Sequence, residues 1–270
     1  MKKLIFILSI FSIIYSCTKT ETSTPTPPVV IKLSGCDSIK QGLLKTTSDT
    51  IRLVSCVSIT GCDSVRLGLL KSTIDLLRLG DCNAVTIGTQ KWMKANLDVV
   101  TYRNGDIIPQ VTDATTWMFS TKGAWCYYNN DPKNGAIYGK LYNWYAVNDS
   151  RGLAPKGWHI PTDAEWTTLC TALGGVNLAG GKMKNTGTTL WTVPNTGATN
   201  ESGFAALPGG SISTMGLFSN VGNVTYWWSA TEAEGNSRAA LSRNLDAYGG
   251  FLYRFSVNKE NGFSVRCLRD

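Results

Sequence analysis

The 270 residues include a single histidine, His159, and eight cysteines. One imidazole excludes every metal site that needs two, so zinc centres of the HExxH type and diiron clusters built on His pairs are ruled out. His159 lies in the block Gly157-Trp-His-Ile-Pro161 that leads into a helix, where a structural role is expected. Asp163 and Glu165 are a carboxylate pair of the kind a glycosidase needs. Their place just after Thr162, at the start of an apolar-periodic run, explains both as helix-capping groups. Gly135 to Lys140 is one residue short of a phosphate loop and lacks the Ser or Thr that should follow. No Gly-x-Ser-x-Gly elbow occurs. Cys126, between Trp125 and Tyr127, has the surroundings of a packed thiol rather than a nucleophile.

What remains is recognition. Between residues 220 and 261 the chain is dense in Asn, Ser, Tyr, Trp and Arg. Rings bring contact area at low entropic cost and amides bring adaptable hydrogen bonds, so such a stretch suits a binding face. The candidate ligand-binding residues are Tyr226, Trp227, Trp228, Asn236, Arg238, Asn244, Tyr248, Tyr253 and Arg254. For Trp227 and Trp228 a core position competes with a role at the surface.

These residues need a scaffold, and residues 83–270 can supply it, since they hold all nine Trp and have the size to bury a core. Short elements separated by turn residues predict an α+β domain with few helices, short strands and long Gly-rich loops. One helix is plain. Thr162 is its expected N-cap, Glu165 completes a capping box, Trp166, Leu169, Cys170 and Leu173 form an apolar stripe, and Gly174 and Gly175 stop it. Strands are expected at Val85 to Ile87 and, by the alternation of Phe263, Val265 and Cys267, in the closing segment. If that last strand packs against the helix, Cys170 and Cys267 form a disulfide closing a loop of about 97 residues, worth ~4 to 5 kcal/mol. Cys126 is then left over.

Upstream the chain changes character. Residues 1–16 carry two lysines and a short apolar run, too short to span a bilayer, and predict a secretory signal. Ser16 before Cys17 resembles a bacterial lipobox, which makes Cys17 the expected lipidation site. Residues 17–34 read as a Thr/Ser/Pro tether. Residues 35–82 hold a repeat of period 26, in which the two copies agree at 13 of 22 positions. Each copy reads as a pair of short helices or as a β-hairpin, with helices favoured. Either brings its ends together, pairing Cys36 with Cys56 and Cys62 with Cys82 and stapling a spacer too small for its own core. Ser38, Thr50 and Ser64 resemble sites of bacterial O-glycosylation. The net charge of +7 is spread without clustering, so nucleic acid is not an expected partner.

Six blocks carry a resemblance: Ile87 to Leu97, Tyr138 to Ala146, Gly157 to Trp166, Gly203 to Gly210, Trp227 to Thr231 and Ser264 to Asp270. Together they resemble the Fibrobacter succinogenes major paralogous domain, over nearly all of 85–270. That family resembles the sulfatase-modifying-factor branch of the C-type lectin-like fold, in which a disulfide from helix to last strand recurs and the region after 220 supplies ligand-facing loops. Formylglycine-generating relatives oxidise with a cysteine pair near the carboxyl terminus, whereas here only Cys267 follows Cys170, so an enzyme is not expected. The calcium-dependent sugar motif of C-type lectins is missing. No cofactor is implied, and calcium stays open only as an ion that could order the loops.

The expected protein is a lipid-anchored cell-envelope protein, placed at the outer membrane and surface-exposed, whose head binds an extracellular glycan or protein. The alternatives are a variable receptor of a diversity-generating retroelement and a structural envelope protein without a ligand.

Overall fold

A computed structural model describes residues 83–270. The expectations for the signal, Cys17, the tether, the two repeats with Cys36, Cys56, Cys62 and Cys82, and the glycosylation sites lie outside the described residues.

Two sheets organise this part of the chain. The smaller has four strands in the order β1 (Ala84–Ile87), β2 (Gln90–Met93), β12 (Leu268–Arg269), β5 (Trp158–His159), so the last strand closes between two early ones. The larger runs β10 (Tyr253–Asn258), β9 (Ala239–Asp246), β8 (Val224–Glu232), β6 (Gly209–Ile212), β11 (Gly262–Phe263), β4 (Leu141–Asn143), β3 (Trp125–Cys126), with β7 (Phe218–Val221) paired to β6. Five α-helices accompany them: α1 (Ala114–Met118), α2 (Pro132–Tyr138), α3 (Trp144–Val147), α4 (Asp163–Ala172) and α5 (Val176–Met183). The domain is α+β with short strands, few helices and long loops, as its punctuation by turn residues predicts. Among the described residues no helix is long and apolar enough to cross a membrane.

Helix α4 forms as the sequence dictates. The Thr162 side chain accepts from the Glu165 main-chain N–H, and the Glu165 carboxylate accepts from the Thr162 N–H at 2.8 Å, closing the capping box. Trp166, Leu169 and Cys170 are buried beneath it. Helix α5, starting one turn later from Gly175, was not expected, because two glycines and an asparagine give its eight residues little intrinsic preference for helix. Tertiary contact demands those glycines. A Cβ on Gly180 would lie 2.3 Å from the Phe251 carbonyl oxygen, and one on Gly181 would lie 2.4 Å from that of Gly197.

The closing segment corrects two expectations. It is not one strand: Gly262–Phe263 belongs to the large sheet and Leu268–Arg269 to the small one. Nor is there a Cys170–Cys267 disulfide; Cys126, Cys170 and Cys267 are all free, buried thiols. Period-two alternation supplies the reason. Cys267 faces the core around Trp144, Trp158, Trp228 and Phe263, whereas its neighbour Leu268 faces the core that holds Cys170, Trp166 and Trp92. The helix lies on the side of Leu268, so the strand register aims the thiol away from its supposed partner.

Candidate functional site

The site is read from strands β8 to β10. Directly opposed residues of antiparallel strands share a face, so register sorts the side chains. One face carries the rows Tyr226–Asn244–Tyr253 and Trp228–Ser242–Phe255, and the other carries Trp227–Arg243–Arg254.

Strand β8 lies inside the sheet and is packed on both faces. Trp227 and Trp228 are therefore core residues, each fully buried, which corrects their assignment to a ligand. The Trp227 ring packs on Trp166 and Phe204 at centroid distances of 5.7 and 5.5 Å, and its N–H donates to Asn96 Oδ1 at 2.9 Å. Trp228 lies 4.6 Å from Phe263 and donates to the Tyr142 carbonyl at 2.7 Å. Tyr226 is half-buried, stacked on Phe263, and its hydroxyl accepts from Asn220 Nδ2 at 3.2 Å. Burial pushes its phenol up from the ordinary value.

The remaining candidates separate. Asn236 and Arg238 lie exposed in the turn between β8 and β9, where the Asn236 side chain accepts from the Arg238 N–H at 3.0 Å, an Asx-type turn. Arg254 is exposed, but on the face of Trp227, and its Nε donates to Asp163 Oδ2 at 2.9 Å. Buried Arg243 takes the other oxygen of that carboxylate at 2.7 Å. The two arginines thus tie the start of α4 to the sheet. Asn244 is buried at 8% exposure and its Oδ1 has no hydrogen-bond partner. Tyr248 is exposed, with its hydroxyl 3.4 Å from Asn223 Oδ1. Tyr253 is partly exposed on the outer strand.

Tyr253 belongs to a feature that residue-type reasoning missed. Phe251, Tyr253 and Phe255 form a stacked row, with centroids 5.5 and 6.1 Å apart and planes within 27° and 24° of parallel. Phe251 and Phe255 are exposed at 41% and 48%. The signal was present as Phe-x-Tyr-x-Phe, the period of a strand face. Helix α5 holds the start of this row, since the Leu252 N–H donates to the Val176 carbonyl at 2.9 Å and the Gly181 N–H to the Gly250 carbonyl at 3.2 Å. Lys184 holds the loop before it. Its buried ammonium donates to the carbonyls of Thr196, Asp246 and Gly249 at 2.8 to 2.9 Å, and desolvation pushes its pKa down to about 8.

The groups that could do chemistry are engaged or inert. His159 Nδ1 lies 2.8 Å from Asp270 and Nε2 lies 3.0 Å from Glu165, so both ring nitrogens clamp the carboxyl terminus to α4. Burial pushes Cys126 far up and Cys267 to about 12, where neither is a thiolate at neutral pH. No cluster of three or more His, Cys, Asp or Glu able to hold a metal occurs among the described residues. An open cleft of about 640 Å³ beside Tyr145 contains two internal ion pairs, Arg151 with Asp149 at 2.8 Å and Lys259 with Glu232 at 2.5 Å.

Residues 85–269 match the family model described as the Fibrobacter succinogenes major domain. The chain belongs to this family. No curated protein and no solved structure matches the chain. In this Fibrobacter succinogenes major domain five of the six sequence blocks converge on one buried centre, contributing Trp92 and Asn96, Trp166, Phe204, Trp227 and Arg266 in turn. Arg266 is its hub: nearly inaccessible, it donates to Asn96 Oδ1 and to the carbonyls of Met93, Lys94 and Phe204, with its guanidinium 4.3 Å from the Phe204 ring. Desolvation lowers its pKa to about 9. The exposed row Phe251, Tyr253, Phe255 falls between the fifth and sixth blocks.

Proposed function

We propose that this chain is a cell-envelope lipoprotein, anchored through Cys17, whose carboxyl-terminal domain is a non-catalytic binding module for an extracellular glycan or protein. The observation that carries the reading is the row of exposed rings on a braced edge strand, Phe251 and Phe255 with Tyr253 between them and Tyr248 near by at 62% exposure. Displaying adjacent aromatic surface to water costs free energy, and contiguous patches of it mark interaction sites. The row is also pre-organised, because α5 and Lys184 fix the main chain that bears it, and a ligand then need not order a loop. A lectin-like scaffold would suit this use; among the described residues the first and last strands share one sheet, and the exposed row stands at the edge of the other.

The test is a glycan array and a pull-down from envelope extract, both with the full chain and with Tyr248→Ala and Phe255→Ala variants. Retention of at least one ligand that the variants lose is the expected result. Capture of nothing, or capture indifferent to both substitutions, refutes the reading.

A further inference from the structure

Resting on the binding-module reading, we infer that the partner held at β10 is a second copy of this chain, the two edge strands pairing antiparallel about a twofold axis at Phe255. Three observations select this occupant.

The first is an open edge. Strand β10 ends the eight-stranded sheet and pairs with β9 through six consecutive residues without a bulge. Nothing in it blunts further pairing: it has no proline, and its one charge, Arg254, is neutralised by Asp163. The opposite end of the sheet is treated differently. There Trp125 of β3 is covered by residues 109–111, its N–H donating to the Pro109 carbonyl at 3.0 Å and its carbonyl accepting from the Val111 N–H at 2.9 Å.

The second is which main-chain groups stay unused. In an antiparallel ladder residues alternately turn their N–H and C=O toward a neighbouring strand and away from it. The Lys259 N–H donates to the carbonyl of Arg238, directly opposite, at 3.0 Å. Tyr253, Phe255 and Val257 therefore bond to β9, while Leu252, Arg254, Ser256 and Asn258 point outward. The outward groups at both ends are taken. The Leu252 N–H donates to the Val176 carbonyl of α5 at 2.9 Å, and the Asn258 carbonyl accepts from the N–H and Nδ2 of Asn261 at 3.1 and 3.0 Å. Between them the N–H and C=O groups of Arg254 and Ser256 have no partner among the described residues. Donors and acceptors alternating in the plane of a sheet are matched by the main chain of another strand.

The third is self-complementarity. The unpaired stretch runs from 253 to 257 and is symmetric about Phe255. A twofold there sets Arg254 against Ser256 of the second copy and Ser256 against its Arg254, and each pair closes two N–H···O bonds with groups that are otherwise idle. An axis at Arg254 would place two arginines directly opposite, which is unfavourable. An axis at Ser256 would ask the Asn258 carbonyl for a third hydrogen bond. About Phe255, the two Phe255 rings meet at the closer, non-hydrogen-bonded kind of pair and Tyr253 meets Val257, so the exposed ring is covered. Each strand turns off after Asn258, opposite the point where α5 of the other copy takes Leu252. The contact is short, so the dimer is weak, with a dissociation constant on the order of 10 to 100 μM.

The experiment is sedimentation equilibrium of the full chain in neutral detergent, with its loading raised through that range. Concentration-dependent dimerisation is expected. Ser256→Pro removes only an outward N–H and should raise the dissociation constant at least tenfold at unchanged Tm, a split that damage to the fold would not give. At high loading, oxidation of Phe255→Cys by copper phenanthroline should give a reducible dimer in excess of any formed by the wild-type chain. Ser256→Cys should not, because only at the axis do two copies of one residue face each other within disulfide reach. A cross-link from Ser256→Cys in its place overturns the register. A dimer indifferent to Ser256→Pro overturns β10 as the interface without touching the binding module. A monomer at every loading overturns the second copy: the binding module stands if a glycan or another protein is captured and then lost with Phe255→Ala, and falls with it if nothing is captured.

Discussion

Two aromatic clusters in this domain use the same residue types to opposite ends. Around Arg266 the rings of Phe204 and Trp227 are buried, and Asn96 Oδ1 accepts from both Arg266 and the Trp227 N–H. Along β10 the rings of Phe251 and Phe255 are exposed, and the amide beside them keeps an oxygen that nothing satisfies. The first arrangement is closed, and every group in it that is lost leaves a hole or an orphan. The second is open, with two of its rings exposed. Exposure to water, rather than composition, separates the two clusters.

The sharpest way to break this contrast is Arg266→Ala. Removing a buried cation that donates to Asn96 and to several main-chain carbonyls should cost about 4 kcal/mol. Denaturant unfolding followed by Trp fluorescence measures it, and a loss below about 1 kcal/mol would dissolve the distinction. Trp228→Ala should cost about 3 kcal/mol by the same measurement, as expected for a fully buried ring. Lys184→Met probes the seam between the regions. It abandons the carbonyls of Thr196, Asp246 and Gly249 and should cost about 2 kcal/mol, with hydrogen exchange speeding first in residues 246–252.

A smaller effect comes from His159. Burial opposes its imidazolium, but donation to Asp270 and Glu165 outweighs this and leaves its pKa raised. The stabilisation is therefore complete below the unfolded value of about 6.5 and is lost as pH rises through the higher folded value. Thermal unfolding from about pH 5.5 to 8 should show a loss of less than about 1 kcal/mol that His159→Gln does not share. The smallest effect is expected at the open cluster, where Phe255→Ala should move stability by less than about 0.5 kcal/mol while abolishing most binding.

Local features of the chain were legible. The capping box at Thr162 and Glu165, the buried stripe of α4 and the first strand each depend on neighbours within a few residues. Helix α5 was not, because its two glycines are penalised locally and are explained only by main chain arriving from Phe251 and Gly197. The supposed disulfide failed for a related reason. Alternation correctly put Phe263, Val265 and Cys267 on one face, yet which side of that face the helix would take is a long-range matter. Within the candidate region exposure was mis-sorted: Trp227 and Trp228 were drawn by ring chemistry but are buried, and the exposed Phe251 and Phe255 were passed over for lacking polar atoms.

The sequence by itself determined the family, the α+β character and the start and stop of α4, since each is written in motifs or short-range periodicity. Only the tertiary structure decided which rings face water. A strand exposes or buries a side chain according to its neighbours in the sheet, and β8 is covered on both faces where β10 stands at the edge.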